Sequence, residues 1–260
     1  MINLIRADLF KMRKSNSIKI LFLLCCISAF IMYEVCKELS KGNLGSDIVG
    51  FGYFFTDFQM ISLVSVIFIS IFICNDFDNK TIQDSISTGH SRASILICKT
   101  ISYYISILIF LLPYMVITIV GVCSNNTFES FLPSVFQNII KNESGVTFDS
   151  AVFLKIFLIY ITMTIVYASQ ISISILLAFL FKRPVIVISL GYVLNASIAQ
   201  IVNIDKLFDL FKLTPYGVDY SKLTLDASLS VYSNFISISL IFMAIILILS
   251  YISFKRAEIK

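Results

Sequence analysis

The chain has 260 residues, 58% of them hydrophobic and 14% charged, with 24 phenylalanines and a formal net charge of +4. Its mean hydropathy is +0.91. Soluble domains carry about 25% charged residues, so this composition excludes a water-soluble globular enzyme and indicates one integral membrane unit.

At the amino terminus, Ile2, Ile5, Leu9 and Met12 recur at helical spacing, while Asn3, Lys11 and Lys14 lie elsewhere. The pattern predicts a helix within residues 1–17 lying on the inner leaflet. The same residues also fit an ordinary basic flank ahead of a membrane span.

Six apolar runs follow, each near the roughly 20 residues that a helix needs to cross a hydrocarbon core about 30 Å thick. They extend from Ile18 to Cys36, Phe58 to Cys74, Leu96 to Val122, Ala151 to Phe181, Pro184 to Val202 and Val231 to Phe254. The first is expected to be a permanent span, because Glu34-Val35-Cys36 offers no small-residue cleavage site. Lys19 and Lys155 lie near span ends, where long side chains reach the headgroups. Pro113 and Pro184 are tolerable within or at the start of a membrane helix. The expected fold is therefore all-α and integral to the membrane, with a single transmembrane domain over residues 1–260.

Lysine and arginine set the orientation. With the amino terminus in the cytosol, thirteen basic residues fall inside and seven outside, so both termini are expected to be cytosolic. The abundance of lysine, isoleucine and asparagine hints at a bacterium with an AT-rich genome, and hence at a bacterial cell membrane.

The six cysteines show no disulfide framework and no metal-ligand spacing. Cys36 and Cys123 could both face outside, and whether they pair is left open. Gln170, Asn195 and Gln200 are the notable polar groups within the spans, and interhelical hydrogen bonds are their simplest role. The only histidine, His90, falls in a loop, and no paired-glutamate or His-Glu-x-x-His pattern lies in a span, so intramembrane catalysis is not expected. No phosphate-cradling Gly-x-x-x-x-Gly-Lys-Ser/Thr loop is present either. No cofactor, metal or nucleic-acid partner is expected.

The connector of residues 75–99, within the most polar long stretch of the chain, has a readable shape. Thr81 and Asp84 have the spacing of a capping box, so a short helix can begin there with Ile82 and Ile86 on one side. Gly89 can close it in the left-handed conformation, and Ser91 can cap the next helix. A two-turn helix is marginal in isolation and should need a surface to pack on. A polar connector containing a glycine is the plainer account of the same residues. Beyond the membrane, residues 124–150 and 203–230 are too short for a folded receptor domain. Ile204, Leu207, Phe208 and Phe211 have the spacing of an amphipathic surface helix.

Asn75-Asp76-Phe77-Asp78-Asn79-Lys80-Thr81-Ile82, followed by Gly89-x-Ser91-Arg92-x-x-Ile95-x-x-x-Lys99, resembles the loop between the second and third spans of ABC-2 type transporter permeases. Leu4-Ile5-Arg6-Ala7-Asp8-Leu9-Phe10-Lys11 before the first span is similar to the start of that family. Leu213-Thr214-Pro215-Tyr216 is a weaker echo of its external loop. The likeness covers the whole chain in layout and about 25 residues in motif.

By size and character the chain is most similar to the small permeases of lantibiotic-immunity and antimicrobial-peptide-resistance exporters. The resemblance implies a cytosolic coupling helix seated on a separate ATP-binding cassette subunit, which alone binds ATP. It also implies a second permease, either another copy or a paralogue. Thr81, Ile82, Asp84, Ile86, Gly89, Ser91 and Arg92 would then be the coupling residues, by capping, apolar docking and charge contact. For Arg92 a positive-inside flank is an equal reading. The alternatives are a self-contained channel or secondary transporter not driven by ATP, and an enzyme or membrane scaffold.

Overall fold

The computed structural model describes residues 1–43, 52–130, 134–201 and 211–256. Nine helices organise them, and no strand occurs among the described residues. In chain order they are α1 (Ile2–Lys14), α2 (Asn16–Ser40), α3 (Asp57–Asp78), α4 (Thr81–Ser87), α5 (Arg92–Val122), α6 (Val135–Glu143), α7 (Ser150–Phe181), α8 (Pro184–Ile201) and α9 (Leu229–Arg256). Six of these, α2, α3, α5, α7, α8 and α9, are long and apolar enough to cross a membrane. They match the six expected runs, and each described end lies within four residues of its expected position. This is a multi-pass membrane protein.

Burial sorts the spans into centre and rim. Nearly every side of α3 is covered, with Ile61, Val64, Val66, Phe68, Ile69, Phe72 and Ile73 all at 1% exposure or less. It therefore runs through the middle of the bundle. By contrast α2 buries one stripe, Leu21, Cys25, Ser28, Ala29, Met32 and Cys36, at the spacing of a single helix face. Its opposite side shows Leu23, Ile27 and Phe30 at 57%, 47% and 56% exposure, an apolar surface suited to lipid. Helix α7 packs against α3, α5, α8 and α9. At 1.5 Å per residue its 32 residues reach about 48 Å, longer than the core of a bilayer.

Helix α3 is not regular throughout. Residues Ser70–Cys74 form a π-helical turn, a local widening that is rare and concentrates at functional positions. Pro113 sits within the continuous helix α5, as expected.

Contacts fix which ends lie together. The Cys98 thiol lies 3.5 Å from the Met1 carbonyl, and Arg92 reaches the carbonyls of Phe254 and Lys255. The amino terminus, the 75–91 connector and the end of α9 therefore share one end of the bundle, called here the terminal end. At the other, loop end, the Glu129 N–H donates to the Cys36 carbonyl, and Lys155 pairs with Asp226 at 3.0 Å.

Helix α6 lies across the loop end, with Val135, Phe136, Ile139 and Ile140 buried. Ser134 caps it by accepting the Gln137 N–H. Gly121 permits its close approach, since a Cβ there would fall 2.9 Å from side-chain carbons of Ile140. The possible amphipathic helix over Ile204, Leu207, Phe208 and Phe211 lies outside the described residues, apart from Phe211. Cys36 and Cys123 form no disulfide, and all six cysteines are free thiols.

Candidate coupling site

The connector at the terminal end has the expected outline. Helix α3 ends at Asp78, and the chain reverses through Asn79 and Lys80, whose φ of 58° is left-handed. Thr81 opens α4, but the expected capping box is not made. The N-cap is Lys80, and no side chain supplies a capping bond. The left-handed Lys80 turn places Thr81 inside the helix, so its hydroxyl is not in the capping position.

The far end of α4 follows the sequence closely. Gly89 has a φ of 92°. The His90 N–H donates to the Ser85 carbonyl at 3.1 Å and the Gly89 N–H to that of Ile86 at 3.0 Å, the paired bonds of a Schellman ending. Ser91 then caps α5, its hydroxyl accepting the Ser94 N–H at 3.2 Å.

The apolar side of α4 faces the protein itself. Ile82 is 1% exposed, and Ile86 is half-buried against the same core. Within the chain these two residues seat α4 on its own bundle. Thr81, Asp84, Ser87 and Thr88 form the exposed side, and it is polar. Arg92 also has a contact within the chain. Its guanidinium donates to the carbonyls of Phe254 and Lys255 at 2.9 and 2.7 Å and lies 5.7 Å from the Phe254 ring. A cation at the carboxyl end of α9 satisfies orphan carbonyls and opposes the helix dipole.

Beneath the connector lies an ionic cluster that joins three helices. The Lys99 ammonium, on α5, meets Asp8 of α1 at 2.5 Å and Asp76 of α3 at 2.6 Å. It also sits 4.4 Å from the Phe72 ring in the π-helical turn. Lys11 of α1 pairs with the other oxygen of Asp76. Asp8, Asp76 and Lys99 are all buried. Burial pushes the Asp8 carboxyl above the ordinary carboxylate range, against the opposing pull of Lys99.

This cluster alters the reading of α1. Leu9 and Met12 pack on the bundle itself, Ile2 is 68% exposed, and Asp8 takes a place on the buried face. Asp76 and Lys99 belong to the motif that carries the family resemblance, yet sequence reasoning gave them no role. The available signal was an acid within a basic amphipathic segment and a lysine one to two turns inside an apolar run.

An aromatic joint completes the site. Phe77, Phe179 and Phe254 meet pairwise with ring centroids 5.8, 6.1 and 4.9 Å apart, linking the ends of α3, α7 and α9. The Lys182 ammonium lies 5.5 Å over the Phe77 ring. Helix α4 is thus continuous in the chain with α3 and α5, which meet α1 through the ionic cluster and α9 through Arg92 and the phenylalanines.

At the loop end the Gln59 amide of α3 donates to the Tyr192 hydroxyl of α8, helix to helix, whereas Gln170 and Asn195 bond to a loop segment. Gln170 donates to the Pro215 carbonyl at 2.7 Å, and the Tyr216 hydroxyl lies 2.6 Å from Asn195 Oδ1. Together they tie the 215–220 segment onto α7 and α8. Nearby, the buried carboxylate of Asp57 accepts bonds from Ser134 and Tyr167. No protein-family model and no curated protein matches the chain.

Proposed function

We propose that this chain is the membrane permease of an ATP-binding cassette exporter, driven by a separate ATPase that docks on α4. The observation that carries the reading is the seat of α4. A short helix with a polar outer face is locked by its apolar face to a bundle end where α1, α3, α5, α7 and α9 converge. A two-turn helix gains persistence from such packing, and force applied to its outer face has a mechanical route to several spans. The terminal end is taken as cytosolic from the excess of lysine and arginine there.

On this reading Thr81, Asp84 and Thr88 face the ATPase, Ile82 and Ile86 anchor α4, Gly89 and Ser91 set its exit angle, and Arg92 joins it to α9. A second permease, identical or paralogous, completes the unit in a bacterial cell membrane. ATP is bound by the partner. An antimicrobial peptide of the lantibiotic kind, or another amphipathic compound, is the cargo suggested by the resemblance.

The test is copurification with a Walker-motif ATPase and measurement of its ATP hydrolysis. Ile86→Asp, which unseats α4, is expected to abolish stimulated hydrolysis while the permease still inserts, as is Gly89→Pro. Unchanged stimulation in both variants would refute the assignment.

Asp57 favours a second reading, an ion-driven transporter, because buried ionisable groups in spans often mark ion paths. Transport in liposomes holding this chain without an ATPase, lost in Asp57→Asn, would support that reading against the first.

A further inference from the structure

Asp57 opens α3 at the loop end and is fully buried. Its carboxylate accepts hydrogen bonds from the Ser134 hydroxyl before α6 and the Tyr167 hydroxyl of α7. The start of α3 adds partial positive charge, but every donor here is neutral and none cancels a full unit of charge. No lysine or arginine among the described residues pairs with Asp57. The loop-end lysines Lys141, Lys155 and Lys222 are bonded to Glu129, Asp226 and Asp219. A buried carboxylate without a counter-charge is costly, so this place calls for a positive charge.

Bare oxygens converge on it. Gln137 is 1% exposed, and neither of its amide atoms has a hydrogen-bond partner. A Ser followed three residues later by a Gln has the spacing of a capping box, yet the Gln137 amide does not make that bond. Gln170 is equally buried. Its Nε2 bonds to the Pro215 carbonyl and the Tyr220 hydroxyl, and its Oε1 has no partner. Gln137 lies one turn beyond Ser134, and Gln170 one turn beyond Tyr167. Helical side chains lean back toward the amino end of their helix, so both amides reach toward the two residues that hold Asp57.

We propose that Asp57, Gln137 and Gln170 form a binding site for one alkali-metal cation, completed by the hydroxyl oxygens of Ser134, Tyr167 and Tyr220. All six groups offer oxygen, the ligand of hard cations. One carboxylate balances one positive charge, and no group of three or more His, Cys, Asp or Glu occurs among the described residues, so the ion is monovalent. A proton on Asp57 would cancel the charge but leave both glutamine oxygens bare, and buried polar atoms without partners are rare. An alkali ion answers the charge and the oxygens together. It would fasten α6 and the 215–220 segment onto α3 and α7, whichever energy source drives transport.

Thermal unfolding of the purified chain in detergent tests this at constant pH and ionic strength, with choline chloride replaced stepwise by sodium or potassium chloride. The unfolding temperature of the wild type is expected to rise saturably with one or both alkali ions, and the larger rise names the ion. Asp57→Asn, which keeps the shape and removes the charge, should abolish the rise. Gln137→Leu, with Asp57 in place, should raise the apparent dissociation constant at least about tenfold. Asp226→Asn, at an exposed loop-end acid, should leave the rise intact.

Hydrogen exchange supplies a readout that a merely structural Asp57 would not move: amides of α6 should exchange more slowly in the alkali salt than in choline. Unfolding temperature and α6 exchange that are the same in all three salts would overturn the proposal. So would an equal rise in Asp57→Asn, or stabilisation by acid alone with no dependence on the cation. Neither measurement involves transport, so failure of the site leaves the exporter reading standing.

Discussion

Lys99→Gln removes the central charge of the ionic cluster and keeps a side chain of similar reach. In the native chain Asp8 and Asp76 each lie within 2.6 Å of the Lys99 ammonium, and Asp76 is 1% exposed. Without the ammonium, two carboxylates face one another across its vacated position. Like charges about 5 Å apart repel by roughly 3 kcal/mol at an effective dielectric near 20, and uncompensated buried charge typically costs about 3–5 kcal/mol in all.

Two of its neighbours rank below it. Asp8→Asn leaves Lys99 paired with Asp76, and Lys11→Gln removes a side chain that is 48% exposed, so the latter should cost under about 1 kcal/mol. Hydrogen exchange of α1 in detergent reads the difference, because α1 meets the bundle through this cluster. Lys99→Gln should raise α1 exchange by more than a hundredfold, following from about 3 kcal/mol, and Lys11→Gln by less than about tenfold. Equal exchange in the two variants would refute the reasoning.

Other consequences can be checked singly. Because burial holds the folded carboxyl of Asp8 above its ordinary value of 3.8, the native state binds the extra proton. Stability from this group is thus full below 3.8 and falls as pH rises through the raised folded value. Thermal unfolding across that window should show this slope in the wild type and lose it in Asp8→Asn. Arg92→Gln strips the donor from the carbonyls of Phe254 and Lys255 and should fray the last turn of α9, at about 1–2 kcal/mol, seen as faster amide exchange there. Gly217→Ala should lower the unfolding temperature more than Gly121→Ala. The added carbon would sit 2.5 Å from the Phe211 carbonyl oxygen in the first case, whereas in the second it meets only side-chain atoms of Ile140.

The spans were legible because lipid imposes one simple demand, a helix of sufficient apolar length, and composition reports it directly. Gly89 and Ser91 were legible because a left-handed ending and a hydroxyl cap are local chemistry. Thr81 was misjudged because Lys80 adopts a left-handed conformation that its residue type does not advertise. The direction faced by Ile82 and Ile86 was ambiguous in sequence, since an apolar stripe on a short helix fits its own bundle as well as a partner. Lys99 meets residues 91 and 23 positions away, and no local pattern pairs them. The same holds for Gln170 and Asn195, whose partners lie in a loop instead of a neighbouring span. Helix α6 escaped notice because nine residues between two spans carry too weak a periodic signal.

Placing a photo-crosslinking side chain at Asp84, in native membranes with nucleotide present, addresses the central claim most directly. An adduct with a Walker-motif ATPase, absent when the same group replaces exposed Leu213 at the loop end, is the result this account predicts. A probe at Asp84 that yields no such adduct, and that a membrane-impermeant reagent reaches from outside intact cells, would contradict it.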